Sequence, residues 1–285
     1  MNLCAEPTTE ALLKMGVMMT IADSRRFVAW SAALLALTFC VPAVAQSDAG
    51  EPSAQQLIDE AMERNALGFE SGRAQLTLIV YDRAGERRER RLDVRARRAN
   101  EQSATRVELT DPPEVRGQSF LFVEQSEGED DVWMYVPAFN VTRRVEGRQK
   151  RGAFLGTHFT FADLESRDLR EANYRRLPDE RIGETPVYVV EARPKESAGS
   201  DYNRVVAYLR KDDRVPMRIR FFGKDNQLEK TLFSERLNRS EGGQVYIEQM
   251  TLRSEQGGYT TIVINALDPG AELPESIFSR DDLGR

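Results

Sequence analysis

Residues 133–164 read WMYVPAFNVTRRVEGRQKRGAFLGTHFTFADL, and this stretch decides how the rest of the chain is read. It opens on a strand-like Trp133-Met134-Tyr135-Val136 and stops at Pro137, which cannot donate to a sheet ladder. Arg143-Arg144 follow, then Phe154-Leu155-Gly156-Thr157, then an aromatic run ending at Asp163-Leu164. Trp133 and Tyr135 share one strand face, Met134 and Val136 the other. Phe120 and Phe122 align in the same way, with Leu121 and Val123 opposite. Both faces of this strand pair are apolar and both need a cover: core or cavity on one side, helix or lid on the other. Ordinary core filling and cavity lining both remain open for these aromatics.

Outward from this stretch the period is mostly two. Leu76, Leu78 and Val80 alternate with Gln75, Thr77 and Ile79. Residues 87–98 put Leu92, Val94 and Ala96 on one face and Arg91, Asp93, Arg95 and Arg97 on the other. Residues 106–110 continue the pattern until Asp111-Pro112-Pro113 breaks it, and 120–124 and 132–136 form a pair joined by the acidic turn 127–131. Six further strands are expected at 186–193, 203–210, 216–222, 227–237, 244–253 and 259–266, joined by turns rich in Gly, Asp and Asn. Before them all, Ser53 and Gln56 form a capping box for a helix. Its stripe runs Leu57, Ile58, Ala61, Met62 and Ala66, with Gly68 as its stop. The residues thus predict one helix, ten or eleven strands in a strongly curved antiparallel sheet, and a long irregular excursion over 147–170. An excursion of that length is usually functional or a lid, and a curved sheet leaves a concave apolar face for a greasy ligand.

The ends bound the compartment. Arg25-Arg26 precede a charge-free run from Phe27 to Ala45, and Ala43-Val44-Ala45 is an A-x-A cleavage site. Residues 1–45 therefore read as an export signal, 46–52 as a short polar lead and 53–285 as one domain. The 19-residue run is close to the ~20 that spans a bilayer, so retention as an anchor stays open beside cleavage. Met18 or Met19 is an alternative start. Val28 stands where a twin-arginine signal has Phe, and bulky Phe39 precedes Cys40, so neither twin-arginine export nor acylation of Cys40 is expected. Both cysteines, Cys4 and Cys40, fall in the signal, and the domain has no thiol for a disulfide or a metal. The formal net charge of −6 argues against a nucleic-acid partner.

Little here carries catalysis. His158 is the only histidine. A general base needs an orienting carboxylate and a nucleophile, and a packed or surface histidine is the simpler reading. No metal and no cofactor are expected, because one histidine without cysteine would leave only carboxylates as ligands. Glu127, Glu129, Asp130 and Asp131 lack calcium-loop spacing and read as a solvated hairpin tip. Arg87, Arg88, Arg90, Arg91, Arg95, Arg97 and Arg98 read as a solvated strand face or a charged edge that blocks aggregation, with a lipid-head or acidic-partner contact as the functional alternative.

The W-x-Y-x-P of Trp133–Pro137, Arg143-Arg144, the Phe154-to-Thr157 segment and Asp163-Leu164 together resemble the outer-membrane lipoprotein-sorting family, which is LolA-like. The resemblance extends to Asp111-Pro112-Pro113, to residues 214–218 and 258–261, and to the closing Leu273-Pro274, Phe278 and Leu283. His158 departs from the family's acidic residue there, and Phe139 from a shorter aliphatic one. The resemblance implies a half-open β-barrel closed by helices, of α+β class, that holds lipid or lipoprotein acyl chains in the periplasm. It also implies a link to RND-type exporters. The cavity and lid candidates are Phe120, Phe122, Trp133, Tyr135, Phe154, Phe159 and Phe161. A non-enzymatic, monomeric carrier is the first expectation, and an accessory or scaffold protein of an RND-type exporter, with a filled core, is the alternative. An envelope-lipid hydrolase is disfavoured by the lack of a G-x-S-x-G elbow.

Overall fold

Alternation of apolar and polar residues becomes a strand wherever the sequence shows it, and strands form in two places where it does not. The computed structural model describes residues 50–62, 71–99, 102–126, 128–165 and 167–284. The segment 1–45 read as an export signal, both cysteines, and Ala66 and Gly68 lie outside them. Thirteen strands are present: β1 (Gly72–Tyr81), β2 (Arg87–Ala99), β3 (Gln102–Asp111), β4 (Ser119–Val123), β5 (Asp131–Val136), β6 (Val141–Arg144), β7 (Ala172–Ile182), β8 (Thr185–Pro194), β9 (Tyr202–Arg210), β10 (Pro216–Gly223), β11 (Leu228–Arg239), β12 (Val245–Ser254) and β13 (Tyr259–Asp268). Among the described residues two α-helices accompany them, α1 (Ala54–Met62) and α2 (Arg167–Arg170). The capping box forms, with the Gln56 N–H donating to Ser53 Oγ at 3.2 Å and the Ser53 N–H donating to Gln56 Oε1 at 2.9 Å.

The topology explains the excursion. The sheet order is β6-β5-β4-β3-β2-β1-β13-β12-β11-β10-β9-β8-β7, with antiparallel pairing throughout. The chain starts at the centre, steps outward to β6, crosses to the far edge at β7, and steps back until β13 pairs with β1. Residues 145–171 are therefore the connection between opposite edges, and they must cross one face of the sheet. Twelve strand spacings laid flat would separate the edges by roughly 58 Å. The connection is instead coiled into short 3-10 turns, Gly147–Arg151, Phe154–Gly156 and Ala162–Leu164, so the sheet must curl beneath it. Register shifts at Gln75/Leu76, Arg91/Leu92, Phe221/Phe222 and Leu177/Glu180 supply bends. The sheet stays open, since β6 and β7 are its two unpaired edges.

Three expectations change here. The cover over the concave face is made of 3-10 turns, while α1 packs elsewhere, with Leu57 and Ile58 against Val190, Ala207 and Leu209. The outer face of β4 and β5 is covered neither by that helix nor by the lid but by the C-terminal turns: Phe278 and Leu283 bury Leu121 and pack Trp133 and Tyr135. The arginine-rich β2 is a central strand between β1 and β3, so its charges do not guard an edge. On its outer face Arg95 Nη2 pairs with Asp93 at 2.9 Å, and Arg73 of β1 reaches the same carboxylate at 2.6 Å.

Candidate ligand-binding site and its lid

Strand parity brings five of the seven candidate aromatics together on the concave side. Phe120 is buried in the main core with Leu76, Leu92, Val107, Leu109 and Ile262. Phe154 and Phe159 come down from the lid onto the same core, and Phe122 and Phe161 pack against it. The rings touch: Phe120–Phe154 centroids lie 5.0 Å apart, Phe154–Phe161 5.4 Å, Phe120–Phe161 5.8 Å and Phe122–Phe154 6.0 Å, largely edge-on or tilted. This space is filled in the present conformation. Trp133 and Tyr135 belong to the opposite face, as their one-residue offset from Met134 requires. Grooves of about 430 and 520 Å³ lie outside the aromatic cluster. One is formed around Arg73, Asp93 and Asn265, the other around Arg151, Tyr202 and Lys224.

The lid is tied down by buried polar contacts rather than by regular helix. Asp163 receives the Thr160 N–H at 2.6 Å, Tyr202 Oη at 2.7 Å and Lys230 Nζ at 2.5 Å. The side chains of this Asp163–Lys230 pair are only 2% and 8% exposed. Lys150 Nζ donates to Glu165 Oε2 at 3.0 Å and to the Asp130 carbonyl at 2.8 Å. Burial pushes the Glu165 carboxyl up to about 7, against the opposite pull of Lys150. Arg170 of α2 reaches Glu124 at 2.5 Å and Asp130 at 2.7 Å. Within the acidic turn after β4, Glu129 is exposed as expected and Glu127 lies outside the described residues, but Asp130 is buried and docks the lid through Lys150 and Arg170. Within the lid, Thr157 Oγ1 donates to the Phe154 carbonyl at 2.6 Å, and Ala153 bridges Thr160.

His158 is half-buried. Its backbone N–H donates to Thr260 Oγ1 at 3.0 Å, and its Nδ1 lies 2.8 Å from the same oxygen. Burial holds its pKa below the usual imidazole value. It acts as a polar pin between lid and β13. The site for its ring exists because residue 258 is glycine: a Cβ there would stand 2.6 Å from His158 Nε2 and from the Tyr81 carbonyl, and φ is +84°. Leu155, at φ 53°, and Gly156, at φ +66°, place two left-handed residues in the lid, a conformation that costs a leucine about 1–2 kcal/mol. Lys150, Glu165, Tyr202 and Lys230 carry no sequence signal of function, and Asp163 enters only through the Asp163-Leu164 resemblance. Only the register of a buried lysine facing an apolar strand, Lys230 beside Leu228 and Leu232, could have marked one of them. Among the described residues no cluster of His, Cys, Asp and Glu is arranged to hold a metal ion.

A curled, open antiparallel sheet whose edge-to-edge connection lies over an aromatic concave face is the LolA-like architecture. A family model described as "Uncharacterized protein" matches residues 101–285, and the chain belongs to that family. Among solved structures, a Vibrio parahaemolyticus domain described as an outer membrane lipoprotein-sorting protein aligns at 25% identity with a TM-score of 0.74, over 82% of this chain and 98% of that one. A DUF1329 family protein from Desulfovibrio piger aligns at 22% identity with a TM-score of 0.74, covering 82% and 100% of the two chains. A LolA superfamily protein from Nitrosomonas europaea shares the fold at 20% identity and a TM-score of 0.62, over 81% and 99%. No curated protein sequence matches the chain.

Proposed function

We propose that the chain is an exported, periplasmic carrier that takes the acyl chains of lipids or lipoproteins between its concave sheet face and the lid. Residues 53–285 act as a single monomeric carrier domain after a signal at 1–45. The carrying observation is the aromatic cluster of Phe120, Phe122, Phe154, Phe159 and Phe161, in which three rings belong to a lid held by a few polar latches. Likeness to a lipoprotein-sorting domain and to a LolA superfamily protein supports the same reading. An acyl chain would enter by displacing Phe154 and Phe161 and taking their place against Phe120. Burial supplies ~0.8 kcal/mol per methylene, so ten methylenes give about 8 kcal/mol before ordering costs. Gly147 and Gly156, both at positive φ, are placed to act as hinges. Transfer toward the outer membrane would proceed with an inner-membrane RND-type transporter as partner, and the chain itself would catalyse nothing.

One observation favours a second reading. The rings are already in contact, as they would be in an accessory or scaffold protein of such an exporter that binds no ligand. Organic extraction of protein purified from the envelope, followed by mass spectrometry, separates the two. The carrier reading expects co-purifying lipid and saturable binding of a fluorescent fatty acid. Finding neither would discard it in favour of the scaffold.

A further inference from the structure

Along the middle of β1, β2 and β13 the concave face is largely apolar, and Arg88 and Arg90 bring charge in near one rim. Arg88 and Arg90 have the strand parity of Leu92, Val94 and Ala96, so they point inward, unlike the paired arginines outside. Arg90 sits in register with Leu78, whose side chain is in the core. Its Nη2 lies 4.0 Å from where a Cβ on the lid residue Gly156 would stand. Its Nη1 is buried and has no hydrogen-bond partner.

The contrast with its neighbours is specific. Arg73 and Arg95 share Asp93 on the outer face, and Arg88 reaches Asp82 at 3.6 Å. No ion pair forms at Arg90 among the described residues. Burial and the adjacent Arg88 both pull the Arg90 guanidinium below its usual pKa range. His158, next to Thr157 in the same lid, also feels Arg88 and Lys230 as like charges. Asp82 answers Arg88 and Asp163 answers Lys230, so the rim under Gly156 is left with one unsatisfied guanidinium, that of Arg90. Leaving such a group half-buried and unpaired is costly unless an anion completes it.

We propose that Arg90 binds the anionic head of the carried amphiphile, a carboxylate or a phosphate ester, while the chain runs from the rim into the aromatic core. A guanidinium fork fits either group through two parallel N–H···O bonds. The inference rests on the carrier reading and narrows it. Fatty acids and acidic phospholipids are favoured as cargo over neutral glycerides and fully acylated peptides, which offer no anion to Arg90.

The test is displacement of a bound fluorescent fatty-acid probe by palmitic acid, by dipalmitoyl phosphatidylglycerol and by 1-hexadecanol, on the full chain and on Arg90→Met. At least one of the two anions should displace the probe roughly tenfold or more better than hexadecanol. Which anion wins identifies the head group. In Arg90→Met that preference should vanish, and in Arg90→Lys it should fall but persist, because the charge remains without the fork. Neither substitution should lower the unfolding midpoint, since Arg90 makes no ion pair in the folded chain. Hexadecanol competing as well as both anions on the unmodified chain would overturn this inference alone. Binding of none of the three would overturn the carrier reading and the inference together.

Discussion

Asp163→Asn isolates the latch between lid and sheet. The native carboxylate is 2% exposed and takes three donors, from the Thr160 backbone, Tyr202 and Lys230. Asparagine keeps an acceptor oxygen but removes the charge, so Lys230 is left buried without its counterion. Removing one partner of a buried pair costs about 3–5 kcal/mol. The Lys230 Nζ contacts with the Tyr202 and Phe221 ring centres, at 5.1 Å and 5.4 Å, are present before and after the change and cancel. The lower end of that range, about 3 kcal/mol, is roughly a 150-fold rise in the population with the latch open. Amide hydrogen exchange reads this directly. The His158 N–H, which bonds across from lid to sheet at Thr260 Oγ1, should exchange about 100-fold faster. Amides of β2 and β12 should change far less. Replacing both partners, as Asp163→Leu with Lys230→Met, should recover most of the loss, because no charge then stays buried. Equal acceleration of lid and sheet amides, or none in either, would refute the idea that the lid opens as a unit held by this pair.

The other expectations follow the same contacts. The Glu165 carboxyl, at about 7 in the fold against an ordinary 4.5, binds its proton more tightly folded than unfolded. Its contribution is fully present below pH 4.5 and is lost as pH rises through about 7, by no more than about 3 kcal/mol. Denaturant titrations at pH 5 and pH 8 should show that decline, and Glu165→Gln should flatten it. Phe154→Ala should cost about 3–4 kcal/mol of stability yet raise affinity for a fluorescent fatty acid, since the ring no longer has to leave. A drop in affinity would make Phe154 a ligand contact instead of a plug. Gly258→Ala places a Cβ 2.6 Å from the Tyr81 carbonyl and His158 at a left-handed φ. It should lower the melting temperature and release the His158 imidazole, visible as a pKa rising toward the free value by NMR.

Much of the sheet was legible because its central strands bury one or both faces, and burial writes a period-two pattern. The two missed strands, β6 and β7, are the two edges. Val141–Arg144 is four residues with two arginines, and Ala172–Ile182 carries Pro178 amid five charged residues. Charge and proline are how edges avoid pairing with another chain, and the same features erase the strand signal. Without both edges in view, 145–171 looked like a loop within a meander instead of the bridge across its face. The aromatic site was half legible. Parity separated Phe120 and Phe122 from Leu121 and Val123, but no local rule told which face was concave, so Trp133 and Tyr135 were grouped with the wrong set. Arg90 is hidden among seven arginines for the reverse reason: charge reads as solvent exposure, although its parity with Leu92 places it inside.

The sheet wears two covers, and their chemistry says which one moves. The outer cover is an apolar plug: Phe278 and Leu283 are buried against Leu121 and Ala104, with Leu273 and Ile277 packed alongside. It is clamped by Arg106, whose Nη1 donates to the Ile277 carbonyl at 3.3 Å, the Asp282 carbonyl at 3.1 Å and Asp282 Oδ2 at 2.9 Å. Lifting it would expose several large side chains and strand a buried guanidinium together. The inner cover also buries Phe154, Phe159 and Phe161, but it is tied by discrete polar latches that can exchange their partners for water, and it carries one strained left-handed residue, Leu155, that opening would relax. Phe278→Ala should therefore cost about 3–4 kcal/mol and red-shift the emission of Trp133, while acyl affinity stays within about twofold. The two faces share a backbone but no side chains, so a loss on one side leaves the other's contacts in place. A tenfold change in acyl affinity on Phe278→Ala, with the chain still folded, would mean that the sheet transmits between its covers and that the outer plug is part of the gate.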